Sequence, residues 1–288
     1  MQKFREYARW YFLGVFLIIT VVIWYAVIRE DRQGILTIAF LDIGQGDAIF
    51  LEAPNGNQML IDGGPPKAIQ SALHKVMSFC YRSIDMLLVT NPDKDHMAGF
   101  IDVLNSYHVG QVVEPGTDSP TATYAELEKS ERERGVPKLL ARRGQTIWLD
   151  KKHGIGFQVL FPDRAVSGLT TNEGSIVGKL TYGNTSVLFT GDSPQNIEHY
   201  LVSLDGKNLK SDVLKVGHHG SRTSSSQEFV GFVSPTVAVI SDGKGNSYGH
   251  PHKETLDTLE KFGVKVFRTD QAGTIVIKSD GQSMTFGD

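Results

Sequence analysis

A strand-like segment that ends in a turn of metal-binding side chains constrains the fold of this chain more than any other feature. The apolar run of residues 84–90 predicts a buried strand, and the helical spacing of apolar residues from Met97 onward predicts a helix. The turn between them carries Asp93, Asp95 and His96, which can bind hard or borderline cations. Side chains on such a loop can converge on a ligand while the flanking elements stay fixed. The alternative is that Asp95 only caps the helix and its neighbours are ordinary turn residues.

The composition restricts both the fold and the kind of metal site. The chain has 288 residues, of which 40% are hydrophobic, and this is enough for one large domain with a substantial core. Its formal net charge of -3 gives no overall basic signature, so any affinity for nucleic acid has to be local. Cys80 is the only cysteine, which rules out an intramolecular disulfide and a zinc site built on thiolates. Metal ligands must therefore come from histidines and carboxylates.

The N-terminal segment has the features of a membrane span. Residues 10–28 contain no charged side chain and, as a helix, are long enough to cross a hydrocarbon core of about 30 Å. Trp10 and Trp24 resemble the aromatic belts found at membrane surfaces. A cleaved signal peptide would have a shorter apolar core and a small-residue cleavage site, and no convincing site follows residue 28. We therefore predict an uncleaved, single-pass anchor.

The charges on either side of this span predict its orientation. Basic residues outnumber acidic ones before it, whereas the charges of residues 29–32 cancel. Under the positive-inside rule, the N-terminus lies in the cytoplasm and residues 33–288 lie outside. The predicted organisation is a cytoplasmic N-terminus (1–9), a transmembrane anchor (10–28), a linker (29–34) and one large extracytoplasmic domain (35–288).

Polar residues also follow predicted strands in other parts of the chain. Residues 35–41 and 48–52 predict two strands joined through a Gly-Gln-Gly-Asp turn, and residues 58–62 predict a third strand. Gly63 and the glycine after it stop this third strand, so Asp62 lies at a strand end. On this evidence, Asp62 could be a simple turn residue.

The second half of the chain repeats this pattern. Residues 174–190 predict a hairpin followed by Asp192, whose carboxylate could bridge two cations or cap the next helix. Residues 211–217 predict another buried strand, and His218 and His219 follow it directly. Two adjacent histidines between a strand and a Gly-Ser turn are seldom both packing residues. They therefore join Asp192 as candidates for the metal site.

The spacing Asn91-x-Asp93-x-Asp95-His96 resembles the His-x-His-x-Asp-His loop of the metallo-β-lactamase superfamily. It is most similar to the form in ComEC-type proteins, the DNA-uptake channel proteins of natural competence, whose extracytoplasmic domain has Asp at the second ligand position. Those domains usually keep a His at the first position, where this chain has Asn91. The resemblance extends in order over roughly residues 35–280, through the segments 44–47, 60–64, 172–175, 189–192, 218–221, 247–251 and 268–273.

This resemblance implies the metallo-β-lactamase fold, a four-layer αβ/βα sandwich of class α/β that here follows one transmembrane helix. Two mixed sheets carry helices on both outer faces, and the site lies along one sheet edge. The implied metal ligands are Asn91, Asp93, Asp95, His96, Asp192 and His219. The implied catalytic residues are Asp95, His218 and His250, and the residues implied to support the ligands or contact the substrate are Asp62, Asn172, Ser175 and Ser221. His218 and His219 could exchange roles, and His250 could instead be a capping or packing residue.

The chemistry implied by the resemblance is hydrolysis by a metal-activated water. One or two divalent cations would bind, Zn²⁺ or Mn²⁺, with Mg²⁺ as a further option. Asp95, His96 and His219 would hold the tighter cation, Asp93 and Asn91 the weaker one, and Asp192 would bridge both. The implied substrate is a phosphodiester of single- or double-stranded DNA, and a role in uptake would need a membrane channel partner. Two other functions stay open: hydrolysis of another extracytoplasmic phosphodiester, and a non-catalytic DNA- or ligand-binding module with a decayed metal site.

Overall fold

The chain separates into two units, Met1–Gly34 and Ile35–Asp288. The computed structural model describes residues 2–30, 32–77 and 81–287, and Cys80 lies outside this described part. The first unit contains helix α1 (Gln2–Glu30). Its segment Tyr7–Trp24 is long and apolar enough to cross a membrane, and 0% of that segment is buried. No second helix of this kind occurs among the residues described.

The second unit contains two β-sheets, built from fifteen strands in the described residues. In chain order these are β1 (Leu36–Phe40), β2 (Ile49–Glu52), β3 (Gln58–Ile61), β4 (Ser83–Leu88), β5 (His108–Glu114), β6 (Lys138–Leu140), β7 (Thr146–Asp150), β8 (Ile155–Phe161), β9 (Val177–Tyr182), β10 (Thr185–Phe189), β11 (Val213–Lys215), β12 (Val237–Ile240), β13 (Lys265–Arg268), β14 (Ile275–Ser279) and β15 (Met284–Gly287). The first sheet has the order β15-β14-β1-β2-β3-β4-β5-β6, and the second has the order β13-β12-β11-β10-β9-β8-β7.

Helices cover the outer faces of both sheets. They are α2 (Ile69–Val76), α3 (Lys94–Met97), α4 (Gly99–Ser106), α5 (Ala122–Arg134), α6 (Gln195–Asp205), α7 (Gln227–Val233), α8 (Lys253–Lys261) and α9 (Thr269–Ala272). Apolar residues of α2, α4 and α5 pack on the first sheet, and those of α6, α7 and α8 pack on the second. Two short 3₁₀ turns, Gly206–Leu209 and Gly217–Gly220, complete the described elements.

The central core lies between the two sheets. Alternate residues of β1 face opposite ways, so Ile38 and Phe40 enter the central core while Ala39 packs against the helices. Phe40 of the first sheet stacks on Phe189 of the second, with ring centroids 6.3 Å apart. Both faces of the sheets are therefore covered, which explains the nearly continuous apolar runs of the strands. The predicted αβ/βα sandwich is confirmed.

Parallel strands bring the polar strand ends to one edge of the sandwich. In the first sheet β3, β4 and β5 are parallel neighbours, and in the second sheet β10, β11, β12 and β13 are parallel neighbours. Side chains that follow the carboxyl ends of parallel strands meet at the same edge. Asp62, His96, Asp192 and His219 all follow such strand ends, which brings residues from both halves of the chain together.

The helix predicted from Met97 onward differs from the structure, which has two short helices, α3 and α4. Gly99 begins the second, and a Cβ atom at this position would collide with the carbonyl oxygen of Gly63. The Gly63 N–H donates to the carbonyl of His96 at 2.5 Å, and the Gly99 N–H donates to the carbonyl of Gly64 at 2.9 Å. The glycines after β3 therefore pack against the helix break and fix the loop of residues 91–98 on the first sheet.

Candidate metal centre

Four side chains from three separate segments form a compact donor cluster, which consists of Asp95, His96, Asp192 and His219. The His96 Nε2 atom lies 3.1 Å from Asp192 Oδ2. The His219 Nε2 atom lies 3.4 Å from Asp95 Oδ2 and 3.6 Å from Asp192 Oδ2. Potential ligand atoms of Asp95, His96 and His219 all lie within 4.8 Å of one another. This spacing suits a single divalent cation bound between them.

The hydrogen bonding of the cluster also fits a metal ion. The Nε2 atoms of His96 and His219 and the Oδ1 atom of Asp192 are buried and have no hydrogen-bond partner. Buried polar atoms are rarely left without a partner, because the loss of hydration is costly. Imidazole nitrogens and carboxylate oxygens are ligands that Zn²⁺ and Mn²⁺ accept. The cluster therefore suits a divalent metal, although it does not single out one element.

Both histidine rings are oriented by partners on their far side. Asp62 Oδ2 lies 2.8 Å from His96 Nδ1, and Thr90 holds this carboxylate through its backbone N–H at 2.7 Å and its hydroxyl at 2.5 Å. The Nδ1 atom of His219 lies 2.9 Å from the carbonyl oxygen of Ser241, which only accepts, so Nδ1 carries the proton. Each Nε2 lone pair is thereby directed at the cluster. Such partners commonly fix the orientation of metal-binding histidines.

Opposite charges stabilise one another within the cluster. Burial raises the pKa of Asp192, but the neighbouring His96 and His219 outweigh this effect and hold it well below the usual range. Burial lowers the pKa of His96, but Asp192 and Asp62 outweigh this effect and raise it well above the usual value. The site thus favours carboxylates that are ionised and faces them with groups that carry positive charge. A divalent cation can supply this charge once the imidazoles are neutral.

Neither Asp95 nor Asp192 acts as a helix cap. Asp95 lies inside the first turn of α3, whose N-cap residue is Asp93, and that residue makes no side-chain cap hydrogen bond. The N-cap residue of α6 is Pro194, two positions after Asp192. The capping alternatives considered from the sequence therefore do not describe these two carboxylates.

Asn91 and Asp93 form hydrogen bonds with neighbouring loop residues. Asn91 is buried; its Oδ1 accepts the Asp93 N–H at 2.9 Å, and its Nδ2 lies 3.5 Å from Ser175 Oγ. Asp93 Oδ2 accepts the Thr171 hydroxyl at 2.9 Å, and burial raises the pKa of this carboxyl. Asp93 is not part of a triad of clustered donors among the described residues. The loop around residues 171–175 therefore engages both side chains that were predicted to bind the weaker cation.

His218 and His250 lie on the more accessible side of the cluster. His218 Nε2 is 3.7 Å from Asp192 Oδ2, and its Nδ1 is 3.3 Å from the Thr223 hydroxyl. The ring centroid of His250 lies 5.6 Å from that of His218. Burial, together with the neighbouring His219 and His218, lowers the pKa of His250 to about 4. His250 is therefore neutral at neutral pH and can accept or donate a hydrogen bond there.

The remaining predicted residues support the surrounding loops. Ser221 Oγ lies 2.9 Å from the Thr223 hydroxyl, next to the hydroxyl's contact with His218. Ser175 is fully buried, and the Oδ1 atom of Asn172 is buried without a hydrogen-bond partner. Of the three residues Asn172, Ser175 and Ser221, Asn172 is the one that has a buried side-chain atom without a hydrogen-bond partner.

A buried ion pair beside the cluster was not foreseen from the sequence. The ammonium group of Lys215 contacts Asp47 Oδ2, and the two side chains are 1% and 2% exposed. Asp47 Oδ1 lies 3.6 Å from His219 Nδ1, and Asp47 Oδ2 lies 3.8 Å from His96 Nδ1. The signal was a lysine within an otherwise apolar strand, since lysine is almost never fully buried without a partner. The Gly-Gln-Gly-Asp turn supplies that partner.

Two stacked sheets with histidines and carboxylates at one shared edge define a metalloprotein of the metallo-β-lactamase fold. The family model of the metallo-β-lactamase superfamily matches residues 41–241, and the chain belongs to that superfamily. It is a hydrolase fold with candidate metal-binding residues.

Relatives place the chain near competence proteins. It is 31% identical over 266 residues to ComE operon protein 3 of Bacillus subtilis (strain 168), covering 86% of this chain and 34% of the relative. It is 32% identical over 235 residues to competence protein ComA of Neisseria gonorrhoeae, covering 81% of this chain and 31% of the relative. The chain thus spans about a third of the length of these two relatives. The resemblance to ComEC-type proteins is confirmed.

Solved structures agree on the fold alone. The metallo-β-lactamase fold protein YhfI from Bacillus subtilis has a TM-score of 0.56 and 12% identity, with 85% of this chain and 99% of that chain covered. CmlA, a diiron β-hydroxylase from Streptomyces venezuelae, has a TM-score of 0.54 and 16% identity, with 81% of this chain and 52% of that chain covered. At these identities the likeness says nothing about substrate.

Proposed function

We propose that this protein is a membrane-anchored, metal-dependent phosphodiesterase that cleaves DNA outside the cytoplasm. One observation carries the proposal: the Nε2 atoms of His96 and His219 are buried without a hydrogen-bond partner and lie 3.1 and 3.6 Å from the same carboxylate oxygen, Asp192 Oδ2. The two half-accessible histidines at the rim of the donor cluster, His218 and His250, could contact a substrate held against a metal. The choice of DNA rests on the competence relatives, by their names alone.

Each residue of the site has a distinct task in this proposal. Asp95, His96, Asp192 and His219 would hold the tighter cation. When bound, divalent cations lower the pKa of water and neutralise charge that develops on a phosphodiester in the transition state. Asp62 and the Ser241 carbonyl keep the two imidazoles oriented.

Two histidines then handle the substrate. His218, held at Nδ1 near the Thr223 hydroxyl, donates from Nε2 to a non-bridging phosphate oxygen. His250 is neutral because burial and the neighbouring imidazoles lower its pKa to about 4. A neutral imidazole keeps one N–H group. With it, His250 would donate a hydrogen bond to the leaving oxygen.

The orientation of the protein is part of the same proposal. Helix α1 has the length and composition of a membrane span, and the basic residues precede it, which supports a cytoplasmic N-terminus. Protease added to intact spheroplasts should therefore digest residues 33–288. A domain that is protected until the membrane is permeabilised would refute this orientation. A channel protein in the same membrane is the partner that DNA uptake would require.

Removal of Asp192 tests the catalytic proposal, since this carboxylate faces both cluster histidines. Purified full-length protein in detergent, loaded with Mn²⁺, should cleave a fluorescent DNA oligonucleotide. Asp192→Ala should lose the bound metal and lower kcat/KM more than about a hundredfold. About a hundredfold is the upper end of the losses caused by substituting residues that only support metal ligands, and Asp192 is a candidate ligand itself. His219→Ala should cost nearly as much and leave the fold intact. The matched control is His199→Ala, because that imidazole is half exposed and pairs with Glu228 on the outer helices.

The same assay separates the two other functions. Cleavage of bis-p-nitrophenyl phosphate without cleavage of DNA would favour another extracytoplasmic phosphodiester as the substrate. Tight DNA binding without cleavage of either substrate, after loading with Mn²⁺ or Zn²⁺, would refute the enzyme and leave a binding module.

A further inference from the structure

An exposed aromatic ring borders the metal centre. Tyr248 lies on the loop between β12 and α8, and it is 65% exposed. Its ring stacks on that of His250, with centroids 5.7 Å apart and planes 21° apart. The ring centroid of His250 lies 5.6 Å from that of His218, and His218 Nε2 lies 3.7 Å from Asp192 Oδ2. A continuous series of rings therefore leads from the donor cluster to the surface.

The loop that carries Tyr248 is held in place before any ligand arrives. The Nδ2 atom of Asn246 donates to the carbonyls of Gly243 at 3.0 Å and His250 at 2.7 Å. Its Oδ1 accepts the N–H groups of Tyr248 at 3.2 Å and His250 at 3.0 Å. The Gly243 N–H donates to Gln45 Oε1 at 3.2 Å, which ties the loop to the first sheet. Because the ring is pre-positioned, binding a flat partner would cost little ordering entropy.

We propose that Tyr248 is a stacking platform for one unpaired nucleobase next to the phosphodiester at the metal centre, so that the site selects single-stranded nucleic acid. The proposal rests on the proposed phosphodiesterase function and names its substrate class. One face of the ring is covered by His250, and the high exposure of the side chain leaves the other face open. A nucleobase presents a flat face of matching size, and such stacking is tolerant of sequence.

Two exposed cationic side chains on the segments that carry the ring series suit the backbone of the same strand. Lys244 is exposed on the Tyr248 loop, and Arg222 is exposed on the segment after the two histidines. The Arg222 N–H donates to His252 Nδ1 at 3.2 Å, and His252 lies 4.9 Å from His250, so this segment adjoins the ring series. Cations next to an exposed aromatic ring are the usual components of a surface that binds single strands. In a duplex the base faces are already stacked on one another, so they are not available to Tyr248.

A comparison of two oligonucleotides isolates the base from the backbone. Full-length protein in detergent, kept free of metal by a chelator so that no strand is cleaved, is titrated with fluorescein-labelled oligothymidylate, and with an abasic strand of the same length that keeps the sugars and phosphates. Wild-type protein should bind oligothymidylate about tenfold more tightly than the abasic strand, the usual range for one stacked base. Tyr248→Ala should lose that preference and leave binding of the abasic strand unchanged. Tyr248→Trp should retain it.

Two further arms complete the test. Trp148→Ala is the matched control, because Trp148 is 48% exposed on β7, the edge strand at the opposite end of the second sheet from β13. It should bind both strands as the wild type does. Duplex DNA of the same length should bind more weakly than oligothymidylate and should be insensitive to Tyr248→Ala.

Equal binding of oligothymidylate by wild type and Tyr248→Ala would overturn the proposal. An equal loss on the abasic strand would also overturn it, since the tyrosine would then serve the backbone or the loop fold. Binding and cleavage are measured separately, so the two proposals can fail independently. If wild type cleaves no DNA but prefers oligothymidylate to the abasic strand, and Tyr248→Ala lacks that preference, the phosphodiesterase proposal fails and the stacking platform stands.

Discussion

The buried pair between Lys215 and Asp47 gives a quantitative prediction about stability. Both side chains are almost completely shielded from water, and the lysine lies on β11 within the core of the second sheet. Lys215→Met keeps the length and apolar stem of the side chain but leaves Asp47 as a buried carboxylate without its cation. Removal of one partner of a buried ion pair typically costs about 3–5 kcal/mol. For a domain of this size, that corresponds to a fall in Tm of roughly 6–20 °C.

A double variant distinguishes the ion pair from simple packing. In Asp47→Asn combined with Lys215→Met, no buried charge is left unpaired, so the double variant should be more stable than Lys215→Met alone. The coupling energy of this double-mutant cycle should be about 2 kcal/mol or more, near the upper range for residues in contact. Thermal unfolding of metal-free, full-length protein in detergent, followed by circular dichroism, measures all four proteins of the cycle.

The metal dependence of the same variant tests whether the pair belongs to the metal centre. Asp47 contacts both cluster histidines, at 3.6 Å from His219 and 3.8 Å from His96. When Lys215 is removed, the negative charge around the donor cluster increases by one unit, and a divalent cation should bind more tightly. Added Mn²⁺ should therefore raise the Tm of Lys215→Met by more than it raises that of wild type.

Two results would refute this reasoning. Additive effects of the two single substitutions would mean that the lysine and the aspartate do not stabilise each other. A Mn²⁺-induced rise in Tm that is equal or smaller in Lys215→Met would mean that the pair does not influence the metal site.

Two predictions concern other residues of the same edge. Wild type has Asn91 where the family usually has a His, so the purified protein should hold about one metal tightly. Asn91→His restores the family ligand, and the variant should need less Mn²⁺ for half-maximal activity. An unchanged or higher requirement would place residue 91 away from the metal. Burial and Asp270 raise the pKa of Asp242 to about 6, which means that the folded state favours the protonated carboxyl. The stabilisation by this protonated group is complete below about pH 4 and is lost as the pH rises through 6. Asp242→Asn should therefore be more stable than wild type at pH 7, by at most about 3 kcal/mol in urea unfolding, and similar at pH 4; a variant that is less stable at pH 7 would contradict this sign.

The sequence by itself determined the elements and the kinds of ligand. The apolar run of residues 84–90 and the apolar residues within 211–217 are local signals, because a strand buried on both faces needs apolar side chains at nearly every position. β4 (Ser83–Leu88) overlaps the first of these segments, and β11 (Val213–Lys215) lies within the second. Three polar residues that follow such strands were recognisable, because binding and catalytic side chains often lie on the loop after a strand. They are Asp95, His96 and His219. The spacing of these residues also carried the family resemblance.

Only the tertiary structure decided which of these side chains share a site. Asp47 and Lys215 come from different sheets, and their ion pair exists because the two sheets are packed face to face. Asn91 and Asp93 stand in the predicted metal loop, and hydrogen bonds connect them to the loop around Ser175 and Thr171. Spacing along a chain fixes the order of side chains and the face they occupy. The partner that each one meets is set by contacts between segments that are distant in sequence, and no local pattern encodes those contacts.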